Sequence, residues 1–182
     1  MKQSIHVWHL EMTQPPTERT VPDTDKSYEL RLVDAPLPEF SRFLYVAVGA
    51  SCLWYMRLSW SYDQWLRMLN NDNVQTWVAY INGTPIGYFE LEKQPQGSTE
   101  ICYFGLLPEF IGQGFGKQLL ADAIEKAWSI GGDRVWLHTC SLDHPSALHN
   151  YLSRGFTVFK EEDLIDDVPQ TPIQPWPDAN RL

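Results

Sequence analysis

Three glycines at alternate positions, Gly112, Gly114 and Gly116, stand directly ahead of a stretch with helical apolar spacing. Glycine lets the backbone turn sharply and lets a ligand approach without meeting a Cβ. Behind the turn, Gly116, Leu119, Leu120, Ala123, Ile124, Ala127 and Trp128 fall on one helical stripe, which Gly131-Gly132 stops. The N–H groups that open such a helix lack partners within it, and together carry roughly half a positive charge. A turn of this kind suits a phosphate or pyrophosphate. The P-loop pattern fails, because Gln118 follows Lys117, and the dinucleotide fingerprint fails, because Lys117 stands where its third glycine belongs. On the glycines alone, a loop that merely permits tight strand–helix packing is an equal alternative.

Residues 106–116, Leu-Leu-Pro-Glu-Phe-Ile-Gly-Gln-Gly-Phe-Gly, resemble the acyl-CoA motif of the GNAT N-acetyltransferase superfamily. That motif is an apolar residue, any residue and Pro, then Arg/Gln-x-x-Gly-x-Gly/Ala. Ile111 departs from it, standing where the family usually has Arg or Gln; this touches one side-chain contact but not the backbone cradle. Downstream, residues 143–159 are similar to the family's later helix, Asn-x-x-Ala-x-x-x-Tyr-x-x-x-Gly-Phe. Ala147, Tyr151, Gly155 and Phe156 match, and His144 replaces the usual Asn. Two motifs in the right order with a strand between them are far more specific than either alone. The resemblance is loose over 28–160 and close over 100–156.

The resemblance implies an acetyl-CoA-dependent N-acetyltransferase with direct attack in a ternary complex. It implies a pyrophosphate held by the backbone of Gly112, Gln113, Gly114, Phe115, Gly116 and Lys117. A main-chain N–H near Leu106 and Leu107 would bind the thioester carbonyl. Tyr151 falls where the family places a general acid for the departing thiolate. Glu100 falls where one branch places a base, with Glu90 and Glu92 as alternates on the preceding strand, and His138 and His144 as further candidates. A base is useful because a lysine-like ammonium of pKa ~10.4 must lose its proton near neutrality, at a cost of about 4–5 kcal/mol. A non-catalytic CoA-binding sensor on the same fold is the rival reading, and a pure interaction domain a third.

The elements that must position these residues are legible in outline. Residues 4–11 alternate as a strand, and 13–26 are a polar, proline-bearing loop. Residues 28–34 are a strand that could pair with the first. Pro38 opens a helix that Gly49 ends, and Ser61 or Asp63 caps a short helix through Leu69. Trp54, Tyr55, Trp60, Tyr62 and Trp65 read mostly as core, with one or two expected in the acceptor cleft, where aromatic faces attract a cation. Strands at 74–81 and 85–92 flank Asn82-Gly83, a strong hairpin signal, and Gln96-Gly97 leads to a third strand over 99–107. A helix over 114–129 requires strand 133–139 to run parallel to 99–107. Asp143 or His144 caps the next helix, and 156–161 is the last strand. The expected fold is α/β (α+β): a mixed, mostly antiparallel GNAT sheet splayed at two parallel strands, with helices on its flanks and an extra N-terminal strand. Residues 1–27 are read as an appendage, 28–160 as the acyltransferase domain, and 161–182 as an acidic, proline-rich tail without order or draped on the surface.

The 182 residues suit one domain. A net charge of −9 disfavours nucleic acid and anionic membrane as partners and suits a small-molecule or peptide amine. Cys52, Cys102 and Cys140 make neither a metal spacing nor a disulfide framework, and none is placed as an acyl carrier. No metal is expected. With no long apolar run and no signal-peptide core, the expectation is a cytoplasmic protein; a homodimer is compatible with the sequence.

Overall fold

The computed structural model describes residues 2–17 and 27–171. In chain order the elements are β1 (Lys2–Met12), β2 (Glu29–Leu32), α1 (Pro38–Gly49), α2 (Tyr62–Leu69), β3 (Val74–Ile81) and β4 (Thr84–Gln94). They continue as β5 (Ser98–Leu106), α3 (Phe115–Ser129), β6 (Arg134–Cys140), α4 (Ala147–Leu152) and β7 (Thr157–Asp167).

The local signals act as their chemistry dictates. Pro38 opens α1, where its missing N–H costs nothing. Ser61 caps α2 in a reciprocal capping box with Gln64. Asn82 and Gly83 both take positive φ, joining β3 to β4 with the backbone twist that hairpins favour. The seven strands form one sheet in the order β2-β3-β4-β5-β6-β1-β7. All pairs are antiparallel except β5 with β6. The expected α/β sheet with one parallel pair is what the chain forms.

Each face of the sheet carries its own core. On one face Leu119, Leu120, Ala123, Ile124 and Ala127 of α3 pack on Phe89, Leu91, Ile101, Val135 and Leu137. On the other, Leu44 and Val48 of α1 pack on Val78 and Tyr88. A Cβ on Gly105 would lie 2.5 Å from Val48 Cγ1, so only glycine lets α1 come this close to β5.

The chain ends are arranged differently from expectation. β1 does not pair with β2. It lies between β6 and β7 and is hydrogen-bonded to both, so it is an interior strand of the sheet. Ile5, Val7, Leu10 and Met12 are buried, the first two in one core cluster and the last two in another, while His6, Trp8, His9 and Glu11 between them are only partly covered. β7 runs to Asp167 instead of stopping at 161, so the start of the expected tail is paired strand. The reason is β1, whose backbone pairs with β7 from Lys2↔Asp167 to Glu11↔Thr157, with His6 bonded to Asp163 and Glu161 and His9 to Glu162 across the ladder. Residues 18–26 of the expected loop and 172–182 of the tail lie outside the described residues. Among the described residues, no helix is long and apolar enough to cross a membrane.

Candidate active site

The site is built where β5 and β6 part. They pair only at Ser98↔Arg134, Thr99↔Val135 and Glu100↔Trp136, yet β5 continues to Leu106 and β6 to Cys140. The cause is visible on the other side of β5. Its pairing with β4 jumps from Leu91↔Ile101 to Glu90↔Tyr103, leaving Cys102 as an extra residue. A bulge of this kind bends its strand and ends neighbouring pairing.

Past the bulge, Leu107 N–H donates to Ile86 O at 2.8 Å across β4. Successive amides of a strand point to opposite sides, so the Leu106 N–H faces the gap. Leu106 is therefore the donor that the gap exposes. The Leu107 amide is engaged elsewhere, and its side chain packs against the α1 core.

The glycine turn lies at the top of this gap. Gly112 and Gly114 have φ of +78° and +93°, and a Cβ added at either would meet nothing within 4 Å. Gly114 is the residue before α3, and no side chain caps the helix. The first-turn N–H groups of α3 thus have no side-chain cap and adjoin an open turn, an arrangement that suits a pyrophosphate. Gly116 is the joint between turn and gap: its Cβ would lie 3.7 Å from Leu106 Cδ1. Lys117 is exposed beside it. The other two residues of the cradle contribute main chain only. Phe115 buries its ring against Phe110, and Gln113 Nε2 donates to Glu109 O at 2.7 Å.

Tyr151 of α4 closes the α3 side of the gap. Its ring packs edge-on against Phe104 of β5 and Phe156. Burial pushes its hydroxyl well above the usual phenol range, and the nearby Asp143 and Cys52 add to this. A phenol held protonated in this way is a donor, not an acceptor, for an anion that forms beside it.

Glu100 lies on the opposite face, at the last β5–β6 pair. Only 9% of it is exposed, and it accepts from Gln94 Nε2 at 2.7 Å. Its other oxygen lies 3.4 Å from His138 Nδ1. The alternates differ in circumstance. Glu90 is clamped by both terminal nitrogens of Arg57, at 2.8 and 2.7 Å, which engages both of its oxygens. Burial, then the charges of Glu100 and Glu90, push the pKa of Glu92 up. His144 Nδ1 accepts from the Ser146 N–H, which ties it to its own turn.

Two residues play parts that the sequence does not reveal. Asp143 does not cap α4, whose N-cap, Ser146, makes no side-chain cap bond. Its carboxylate turns back to accept from Thr139 Oγ1 and Cys140 N–H, fixing the end of β6 beside the gap. Arg57 is the cation that the aromatic stretch surrounds: its guanidinium lies 4.3 Å from the Tyr103 ring and 4.7 Å from Trp60. Of the aromatics of 54–65, Trp60 and Trp65 lie over the protein's own arginine, while Trp54 packs against Tyr45 and Tyr103 and the Tyr55 hydroxyl donates to Asp166. The only sequence signal for this was a lone basic residue among tryptophans and tyrosines.

Comparison with known proteins agrees with this architecture. The profile of the acetyltransferase (GNAT) family matches residues 32–156. No curated protein sequence matches. Among solved structures, a GCN5-related N-acetyltransferase from Sphaerobacter thermophilus is similar, with 18% identity and a TM-score of 0.65 over 90% of this chain and 53% of that one. A GCN5-related N-acetyltransferase from Kribbella flavida is similar with 18% identity and a TM-score of 0.62, over 88% of this chain and 58% of that one. An aminoglycoside acetyltransferase from an uncultured soil metagenomic sample shows 18% identity and a TM-score of 0.55, over 70% of this chain and 87% of its own. This chain spans just over half the length of the first two. With the family profile covering most of the chain, and the parted strands, glycine turn and tyrosine helix in place, this chain belongs to the acetyltransferase (GNAT) family.

Proposed function

We propose that the protein transfers an acetyl group from acetyl-CoA to a primary amine by direct attack in a ternary complex. What supports this is the parting of β5 from β6 after Glu100↔Trp136, with the open, uncapped glycine turn beyond β5, Tyr151 packed against Phe104 on one face and the Glu100–His138 pair on the other. The residues fit the cosubstrate: the space beside Gly112 and Gly114 is empty to 4 Å from where a Cβ would stand, and no side chain caps the start of α3.

Each group then has one task. The amides of 112–117 grip the pyrophosphate. The Leu106 N–H donates to the thioester oxygen as negative charge develops there, a contribution that typically reaches ~3 kcal/mol for one such donor. As the C–N bond forms and the C–S bond breaks, Tyr151 donates its proton to sulfur. Burial pushes up the pKa of Cys52, Cys102 and Cys140, so each thiol stays protonated. That favours attack by the amine itself over an acyl-cysteine route. The acceptor class, a small-molecule or peptide amine, is supported by the acidic chain and by the aminoglycoside acetyltransferase among the fold neighbours, seen with sisomicin.

The test is thiol release from acetyl-CoA with a panel of primary amines, on the wild type and Tyr151→Phe. We expect turnover with at least one amine, and a loss of ~10²-fold or more in kcat for the variant with CoA affinity unchanged. Tight CoA binding with no turnover on any amine would favour a sensor instead.

A further inference from the structure

The geometry points to His138, held by Glu100, as the group that takes the acceptor's proton, with Gln94 and Trp136 as positioning residues behind the pair. This rests on the acetyltransferase reading of the cleft and names the acting base within it. Three strands build the arrangement. Trp136 Nε1 of β6 donates to Gln94 Oε1 of β4 at 2.9 Å, and Gln94 Nε2 donates to Glu100 Oε2 of β5 at 2.7 Å. The remaining oxygen, Glu100 Oε1, faces His138 Nδ1 at 3.4 Å. Both carboxylate oxygens therefore have partners. The Glu100 side chain is 11% exposed and the His138 side chain 44%, so a substrate arriving from solvent meets the imidazole first. A carboxylate at Nδ1 favours the tautomer with Nδ1–H and leaves the Nε2 lone pair facing outward. Position agrees with this: β5–β6 pairing ends at Glu100↔Trp136, and His138 is the next β6 residue on that face, at the edge of the opened gap.

The charged and titratable groups that face His138 are few. Glu100 comes from β5 and Asp143 from the turn after β6. His9 comes from β1, with its ring centroid 6.0 Å away, and is itself bonded to Glu162 of β7 at 2.7 Å. The Glu100 carboxylate beside it raises the pKa of His138 against the opposing effect of burial, and Asp143 raises it further.

An ammonium acceptor loses two protons. His138 Nε2 takes the first and releases it to solvent. The second leaves nitrogen as the C–N bond forms, and makes up for the proton that Tyr151 gives to sulfur.

The experiment compares wild type, His138→Gln, Glu100→Gln and Gln94→Leu in three measurements: kcat/KM against pH by thiol release, CoA affinity by calorimetry, and the His138 titration by NMR. A base must be deprotonated, so the wild type should gain activity as pH rises through the His138 pKa. Glu100→Gln removes the group that raises this pKa. Its acidic limb, and the NMR titration with it, should move to lower pH while turnover persists at alkaline pH. Gln94→Leu removes a donor that stabilises the Glu100 carboxylate, which then holds the imidazolium more tightly, so the same limb should move to higher pH. His138→Gln should lose ~10²-fold or more in kcat at every pH with CoA affinity intact. A Glu100→Gln enzyme that is inactive at every pH, beside an active His138→Gln, would make Glu100 the base and overturn the proposal. A wild type that binds CoA but acetylates no amine would sink the transferase reading itself, together with the proton-acceptor role. Normal wild-type turnover with His138→Gln unchanged would sink the proton-acceptor role alone.

Discussion

Gly114→Ala and Gly83→Ala form a pair that separates backbone strain from ligand binding. Both glycines hold positive φ, +93° and +82°, and at neither would a Cβ meet any atom within 4 Å. Holding an L-residue in the left-handed region costs about 1–2 kcal/mol. Alanine also restricts the unfolded chain, which returns about 0.4–1 kcal/mol. The net expectation is a loss of about 1 kcal/mol for each, or a fall of about 2–4 °C in Tm for a domain of this size. Only Gly114 opens α3 and borders the cradle, whereas Gly83 sits in the β3–β4 hairpin. A methyl group at 114 would stand between the helix N–H groups and a phosphate. The Kd for CoA should therefore rise tenfold or more, about 1.4 kcal/mol, for Gly114→Ala and not at all for Gly83→Ala. Thermal melts and calorimetric CoA titrations measure the two quantities separately. Equal Tm losses with wild-type CoA affinity at position 114 would refute the cradle argument.

Other outcomes follow from the same structure. The Arg57–Glu90 pair is nearly buried, with side chains 12% and 5% exposed, so Glu90→Gln or Arg57→Met strands a buried charge or donor and should cost about 3–5 kcal/mol in urea unfolding. The double variant Arg57→Met/Glu90→Leu should recover much of that loss, and a single variant that costs under about 1 kcal/mol would contradict the clamp. His6 lies between Asp163 and Glu161, which raise its pKa in the folded state. Its contribution to β1–β7 pairing is then complete below the unfolded value of about 6.5 and is lost as pH rises through the folded pKa. Amide exchange along β7, corrected for intrinsic rates, should be slower at the acidic end of that window and respond little in His6→Gln. Because burial raises the Tyr151 pKa, the alkaline limb of kcat should fall above the ordinary phenol value of ~10; a Tyr151-dependent fall near neutrality would contradict its role as the acid.

What the sequence discloses is what local chemistry dictates. The Asn82-Gly83 hairpin, the Ser61 cap, the Pro38 start and the glycine turn each depend on a few adjacent residues, and each lies where its motif says. Features set by distant partners are not legible. Residues 4–11 alternate like any strand, and nothing in them names β6 and β7 as neighbours in place of β2. The acidic run after Lys160 reads as solvated tail until His6 and His9 are seen opposite it. The bulge at Cys102, which opens the site, has no glycine or proline to announce it. Asp143 precedes a helix, as a cap would, but its carboxylate finds the Thr139 hydroxyl and the Cys140 amide on the strand behind it. The Tyr151 position was legible through its motif; the Gln94–Trp136 support behind Glu100 was not, because it joins three strands.

The most direct measurement is a crystal structure with CoA bound. The diphosphate should lie against the amides of residues 112–117, the pantetheine arm between β5 and β6 beyond Glu100 and Trp136, and the sulfur within hydrogen-bond reach of the Tyr151 hydroxyl. CoA bound elsewhere on the surface, with that gap closed by the protein's own side chains, would contradict this placement.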